Sequence, residues 1–249
     1  MNPFSRTALL LGQEGMERLG RARVAVFGLG GVGGHAAEAL ARSGVGALDL
    51  VDRDRVSLTN LNRQVIALRS TVGRLKTDVM AERLREINPD LSLRLHPIFY
   101  LPDTADELPL SEYDYVVDAV DTVTAKLTLI TRAREAGVPI ISALGAGNKL
   151  YPTRLRVSDL SETQVDPLAR ILRKELRKRG IPSLKVVWSD EPPIPVPPDA
   201  GAEEDPRRRS TPGSTAFVPS VMGMIIAGEV VKDIAFNRLN KPLRTEVRT

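Results

Sequence analysis

The sequence contains no cysteine among its 249 residues. That excludes structural disulfides, thiolate zinc sites, a thioester intermediate on the protein and any persulfide carried by the protein itself. Nor does any stretch reach the roughly 20 apolar residues a membrane span requires. The longest candidate, Phe217 to Val231, is interrupted by Pro219 and Glu229 and reads as a buried helix. At the start, Ala8-Leu9-Leu10-Leu11 passes straight into Gly12-Gln13-Glu14, with no basic segment leading into a long apolar run. A cytoplasmic protein is expected, with peripheral membrane contact by the Phe217–Ala235 helix left open. Internal repeats at solenoid periods are absent as well, which argues against an array.

Hydrophobic residues make up 42% and charged residues 27%, enough core and enough surface for one large α/β domain with appended elements. The expected division places an α/β core over 1–160. A charged helix, an irregular loop and a C-terminal helix follow over 161–249. A formal net charge of +4 suits an anionic partner such as RNA, but fits many proteins with small-molecule substrates equally well.

Along the first half, short β-branched runs alternate with helical patterns, the signature of a parallel sheet wrapped by helices. Strands are expected at Arg23–Phe27, Ala47–Val51, Leu91–His96, Tyr115–Asp118 and Pro139–Ser142. Helices are expected at Val32–Ser43, closed by Gly44, at Leu75–Ile87, closed by Asn88-Pro89, and at Thr124–Glu135. The second half carries a charged helix over Pro167–Arg179 and a strand near Leu184–Trp188. The proline-rich stretch at about 191–216 reads as a mobile loop, with an acidic patch at Glu203-Glu204-Asp205 and a basic run at Arg207-Arg208-Arg209.

Directly after the first strand stands Gly28-Leu29-Gly30-Gly31-Val32-Gly33-Gly34, a Gly-x-Gly-x-x-Gly spacing that opens into a helix. Glycines permit a tight turn and close backbone approach, and the unpaired amides at a helix N-terminus attract phosphate. Asp52, ending the second strand, lies where a ribose hydroxyl needs an acceptor. Strand, loop, helix and acid in this order indicate a nucleotide. They do not choose between ATP and a nicotinamide dinucleotide.

The next segment reads Asp52-Arg53-Asp54-Arg55-Val56-Ser57-Leu58-Thr59-Asn60-Leu61-Asn62-Arg63-Gln64, then Val72-Gly73-Arg74-Leu75-Lys76, with Val117-Asp118-Ala119-Val120-Asp121 farther on. These motifs resemble those of the ubiquitin-activating-like superfamily of adenylating enzymes. Within it the chain is most similar to the dehydratases of threonylcarbamoyladenosine in tRNA. The likeness extends over Phe4-Ser5-Arg6, Ala37–Gly44, Asp166-Pro167-Leu168-Ala169, Trp188-Ser189-Asp190-Glu191, Gly213-Ser214 and Phe217-Val218-Pro219. It implies a Rossmann-like, doubly wound, mostly parallel sheet with C-terminal additions of that superfamily.

The resemblance further implies that ATP lies on Gly28, Gly30, Gly31 and Gly33, with Asp52, Asp54, Asn60, Arg63, Gln64 and Lys76 around it. Asp121 would hold Mg²⁺, though an aspartate merely capping the following helix is the alternative. Arg63 and Lys76 would contact phosphate oxygens, and Arg6 would reach into a partner subunit's site, making a homodimer. The implied reaction adenylates the threonine carboxylate of threonylcarbamoyladenosine in tRNA, after which the neighbouring carbamoyl group closes a ring. An intramolecular nucleophile makes a protein thiol dispensable and leaves no thioester-linked partner. Candidate RNA-binding residues are Arg173, Lys174 and Arg177, with Arg170, Lys178 and Arg179 on the same helix, and Arg207, Arg208 and Arg209. Sulfur-transfer proteins are partners by association with the superfamily alone. Competing functions are adenylation of a sulfur-carrier protein's C-terminus, a nicotinamide-dependent oxidoreductase and a non-catalytic RNA-binding module, the last of which leaves Arg63, Lys76 and Asp121 unexplained.

Overall fold

The structure, a computed structural model, describes residues 2–197 and 212–239. Arg207, Arg208, Arg209 and most of the expected 191–216 loop lie outside the described residues.

The elements run α1 (Ser5–Arg21), β1 (Arg23–Phe27), α2 (Gly33–Arg42), β2 (Ala47–Val51), α3 (Lys76–Ile87), β3 (Ser92–His96), β4 (Tyr115–Asp118), α4 (Val123–Glu135), β5 (Ile140–Ala143), β6 (Leu155–Asp159), α5 (Pro167–Lys178), β7 (Lys185–Ser189) and α6 (Phe217–Ala235). The strands form one sheet in the order β3-β2-β1-β4-β5-β7-β6. All neighbours pair parallel except β6 with β7, which is antiparallel. The chain therefore winds outward one way from β1 through β2 and β3, then the other way from β4. Ligands of open α/β sheets bind at this reversal, beyond the carboxyl ends of the strands.

Two core layers enclose the sheet. Val24 and Val26 face α2, α3 and α6, where Leu40, Met80, Met222, Ile226 and Val230 are buried. Ala25, Phe27 and Val116 face the other way, toward Tyr100, Leu108, Tyr113 and Leu129. A third cluster packs Ile130 of α4 against Leu172 and Leu176 of α5 and Val186 and Trp188 of β7. Each fully buried aliphatic side chain in these layers contributes about 1.5–3 kcal/mol.

Local sequence explains the boundaries. Gly44 ends α2 at φ +88° and Gly137 follows α4 at φ +68°, a region that favours glycine. Asp166 caps α5 by accepting from Leu168 N at 2.8 Å and Ala169 N at 3.1 Å, with Pro167 in the first turn. The long apolar α6 is buried on α2 and α1, as its composition indicated. At Gly223 an added Cβ would lie 2.3 Å from Val32 O, so only glycine lets α6 approach α2 this closely. Among the described residues, no helix is long and apolar enough to cross a membrane.

Candidate active site

The glycine loop bridges β1 and α2 at the reversal of the sheet. Gly28 has φ +87°, and a Cβ there would stand 2.6 Å from Ala119 O on the turn after β4. At Gly33 a Cβ would overlap Gly28 O at 1.8 Å, so the loop folds back on itself. No side chain caps the start of α2 among the described residues. The first amides of a helix lack intrahelical acceptors, so this end presents donors and the positive pole of the helix dipole.

Asp52 binds the loop from beneath. Its Oδ2 accepts from Leu29 N at 2.7 Å and its Oδ1 from Asp54 N at 2.8 Å. Burial pushes its carboxyl above the ordinary aspartate range, and Lys76 and the two backbone donors only partly offset that. Lys76 is itself buried at the first position of α3, with Nζ 2.8 Å from Asp54 Oδ2 and 3.7 Å from Asp52 Oδ2. In this state its ammonium is held by the two aspartates.

The turn from Ser57 to Gln64 closes the next side. Asn60 Oδ1 accepts from Ser57 N at 3.1 Å, while Asn60 O receives Arg63 N at 3.1 Å and Gln64 N at 3.0 Å. Asn60 is thus the staple of the turn. Its product is the placement of Arg63 and Gln64 over the glycines: a Cβ on Gly31 would touch Arg63 Cγ at 3.4 Å, and one on Gly30 would meet Gln64 Nε2 at 3.8 Å. Gln64 Oε1 is buried and has no hydrogen-bond partner among the described residues. The Arg63 guanidinium donates to Thr59 O at 2.9 Å and Asn62 Oδ1 at 2.8 Å. His35 on α2 lies beneath this turn; burial lowers its pKa, partly opposed by a hydrogen bond with the Arg63 backbone.

Asp121 is exposed in the turn between β4 and α4, beside the loop segment that touches Gly28. The N-cap of α4 is Thr122, whose own side chain makes no cap bond among the described residues. Arg6 is exposed on the first turn of α1.

On α5, Lys174 and Arg177 are exposed and line, with Arg173 and Lys178, a shallow depression of about 430 Å³. Arg173 is turned inward: its Nη1 donates to Thr163 O at 2.9 Å and to the Thr163 hydroxyl. Lys178 and Arg179 are engaged by Glu175 at 2.7 Å and 3.0 Å. These pairs are invisible to a reading that counts basic residues along a helix.

Sequence reasoning also missed a group of buried polar residues around the site. Lys126 and Asp118 pair wholly inside the protein, and Lys149 donates to Glu191 O while the Glu191 carboxylate accepts from Leu150 N and Tyr151 N. Asn148, at φ +58°, receives Ile194 N on its carbonyl at 2.8 Å. It also exchanges two bonds with Gly213, at 2.8 Å and 2.6 Å. The chain on either side of residues 198–211 is fastened to this one residue.

A doubly wound sheet carrying an uncapped glycine loop, an acid after β2 and cationic side chains above the loop defines a nucleotide-binding α/β enzyme. The chain belongs to the ThiF family, which it matches over residues 4–246. It is 45% identical over 241 residues to a tRNA threonylcarbamoyladenosine dehydratase of Bacillus subtilis, covering 94% of this chain and 95% of that protein. The structure resembles the Escherichia coli tRNA N6-threonylcarbamoyladenosine dehydratase TcdA in complex with AMP, with a TM-score of 0.85, 35% identity and 96% of each chain covered. The same enzyme in complex with ATP superimposes with a TM-score of 0.84, also at 35% identity and over 96% of each chain.

Proposed function

We propose that this protein is an ATP-dependent dehydratase of threonylcarbamoyladenosine in tRNA. The observation that carries the proposal is the glycine loop with Arg63 and Gln64 folded directly over Gly31 and Gly30. With it goes the similarity, over nearly the whole chain, to enzymes of that name.

A carboxylate is a poor electrophile because it carries charge and lacks a good leaving group. Attack of the substrate's threonine carboxylate oxygen on the α-phosphorus of ATP expels pyrophosphate and gives an acyl-adenylate. The carbamoyl group of the same nucleoside then attacks the activated carbonyl. AMP leaves, a ring closes, and the net change in the nucleoside is loss of water. The absence of cysteine agrees with a nucleophile supplied by the substrate, which benefits from high effective concentration.

Each residue has a task in this scheme. The α2 amides receive phosphate oxygens, Asp52 accepts from the ribose while holding Leu29, and Arg63 offers its fork to the phosphates. Lys76 exchanges Asp54 for a phosphate oxygen when nucleotide binds. The orphaned Gln64 Oε1 gains a donor from the nucleotide.

Asp121 would hold Mg²⁺. An exposed carboxylate beside the glycine loop suits an ion that takes one or two carboxylates and fills the rest of its shell with phosphate and water. When bound, the ion neutralises charge on the phosphates.

Lys174 and Arg177 offer phosphate contacts to tRNA, and under this proposal the enzyme works in the cytoplasm. Arg6, exposed on α1, serves the site of a second copy, so the active form is a homodimer. Incubation with ATP and tRNA carrying threonylcarbamoyladenosine, followed by mass spectrometry of the nucleosides, tests the proposal. The expected product is lighter by one water; an unchanged nucleoside with active tRNA and nucleotide overturns it.

A further inference from the structure

Lys126 lies on α4, in a helix whose other polar residues are exposed or half-buried, yet it is 1% exposed. Its ammonium contacts both oxygens of Asp118, each at 3.0 Å, and Asp118 is fully buried as the last residue of β4. Replacing a buried ion pair by apolar side chains is often neutral or stabilising, so stability alone gives no reason for this one. Its location supplies a different reason.

The two ends of the turn between β4 and α4 are tied to the same residue. Lys126 N donates to Thr122 O at 3.0 Å, closing the first turn of α4, while its Nζ grips Asp118 at the other end. Asp118 Oδ1 also accepts from Val120 N at 3.3 Å, a long bond that holds the turn's middle. Ala119 N is fixed to Phe27 O at 2.8 Å, and Ala119 O is the atom that a Cβ on Gly28 would strike. The turn of residues 118–122 thus leans on the glycine loop at one point and carries Asp121 at another.

We infer that Lys126 is a positioning residue for adenylation: through Asp118 it fixes the Ala119–Asp121 turn against the phosphate loop. The inference rests on the proposed ATP chemistry and names a residue that does not itself touch nucleotide. A site needs such buried support because an error of about 1 Å in placement costs about a hundredfold in rate.

The measurement is ATP–pyrophosphate exchange with tRNA carrying threonylcarbamoyladenosine, across a titration of MgCl₂, on wild type, Lys126→Met, Lys126→Arg and the double variant Asp118→Asn/Lys126→Met. The double variant leaves no lone buried charge, so it folds even where Lys126→Met does not. Loss of kcat by about tenfold or more in the folded variants, with KM for ATP within about threefold and a higher MgCl₂ requirement, supports the assignment. Partial recovery in Lys126→Arg, which keeps a cation opposite Asp118, supports it further. A double variant that melts at a different temperature but exchanges pyrophosphate at the wild-type kcat overturns it and leaves the pair purely structural. Absence of exchange in the wild type would instead overturn the proposed function.

Discussion

Replacing Lys76 by methionine removes the ammonium from between two aspartates while keeping the length and most of the volume of the stem. Deleting one partner of a wholly buried ion pair costs about 3–5 kcal/mol. Here the side chain of Asp54 is 53% exposed and rehydrates, and Asp52 is 3.7 Å from Nζ and retains two backbone donors. The expected loss at neutral pH is therefore lower, about 2 kcal/mol. Its pH dependence is more telling. Burial already raises the Asp52 carboxyl, and Lys76 is the foremost influence opposing that rise, so the substitution raises it further. An acid whose folded pKa exceeds its unfolded value contributes stability below the unfolded pKa and loses it as pH rises through the folded pKa. The deficit of Lys76→Met should accordingly be full at pH 8 and shrink as pH falls through the elevated pKa of Asp52 toward the ordinary aspartate value. Urea unfolding at constant ionic strength, followed by the fluorescence of the sole tryptophan, Trp188, measures this, since the residue is buried on β7. A deficit below about 0.5 kcal/mol at pH 8, or one flat with pH, would show that Lys76 does not sustain the buried charge of Asp52.

Asp121→Ala is expected to abolish AMP formation while leaving the fold intact by circular dichroism; turnover at the wild-type rate contradicts its metal role. Val165 has φ +47°, an uncommon conformation for a β-branched residue, so Val165→Gly should gain about 1 kcal/mol and raise Tm by about 2–4 °C in a thermal scan. Neutralising Lys174 and Arg177 should weaken tRNA binding and flatten its salt dependence without affecting thermal stability, whereas Arg173→Ala should lower the melting temperature, because Arg173 ties α5 to the Thr163 turn. Equal effects of the three on tRNA binding would show that Arg173 leaves the turn to meet RNA. Glu38 is held below its ordinary pKa: burial pushes the carboxyl up, but Arg83 and Arg42 outweigh it. Its stabilising contribution is present above the unfolded pKa and fades as pH falls through the folded one, so Glu38→Gln should be destabilised at pH 7 and approach wild type in acid unfolding.

Much of this fold was legible because its central strands are short apolar runs bounded by glycine and aspartate. Arg23–Phe27, Ala47–Val51 and Tyr115–Asp118 have the limits their composition indicated, and so does the helix Phe217–Ala235. Helix α1 was not foreseen: Leu9 and Leu10 are 85% and 83% exposed, and Gly12 breaks the helical backbone at φ +72°, so no clean apolar stripe remains. Strand β6 escaped for a related reason, since as an antiparallel edge it exposes Arg156 and Val157 and carries no apolar run. At the site, the glycines and the segment from Asp52 to Lys76 are nearly contiguous and announce themselves. Lys126, by contrast, looks like any helical lysine until the sheet brings Asp118 to it, and Arg173 looks like its neighbours until Thr163 is seen beneath it. Pairing in space, not residue type, distinguishes these.

The double fastening at Asn148 bears on how the protein can be altered. Ile194 and Gly213 grip the same residue, so whatever chain joins them begins and ends at one anchored gate-post, and its closure is settled before its length is chosen. Joining two fixed points by a chain twice as long costs only about 0.6 kcal/mol more in closure entropy. An epitope or a fluorophore-binding peptide spliced between these anchors should leave the sheet and its glycine loop undisturbed, which would make this a natural place to attach a reporter.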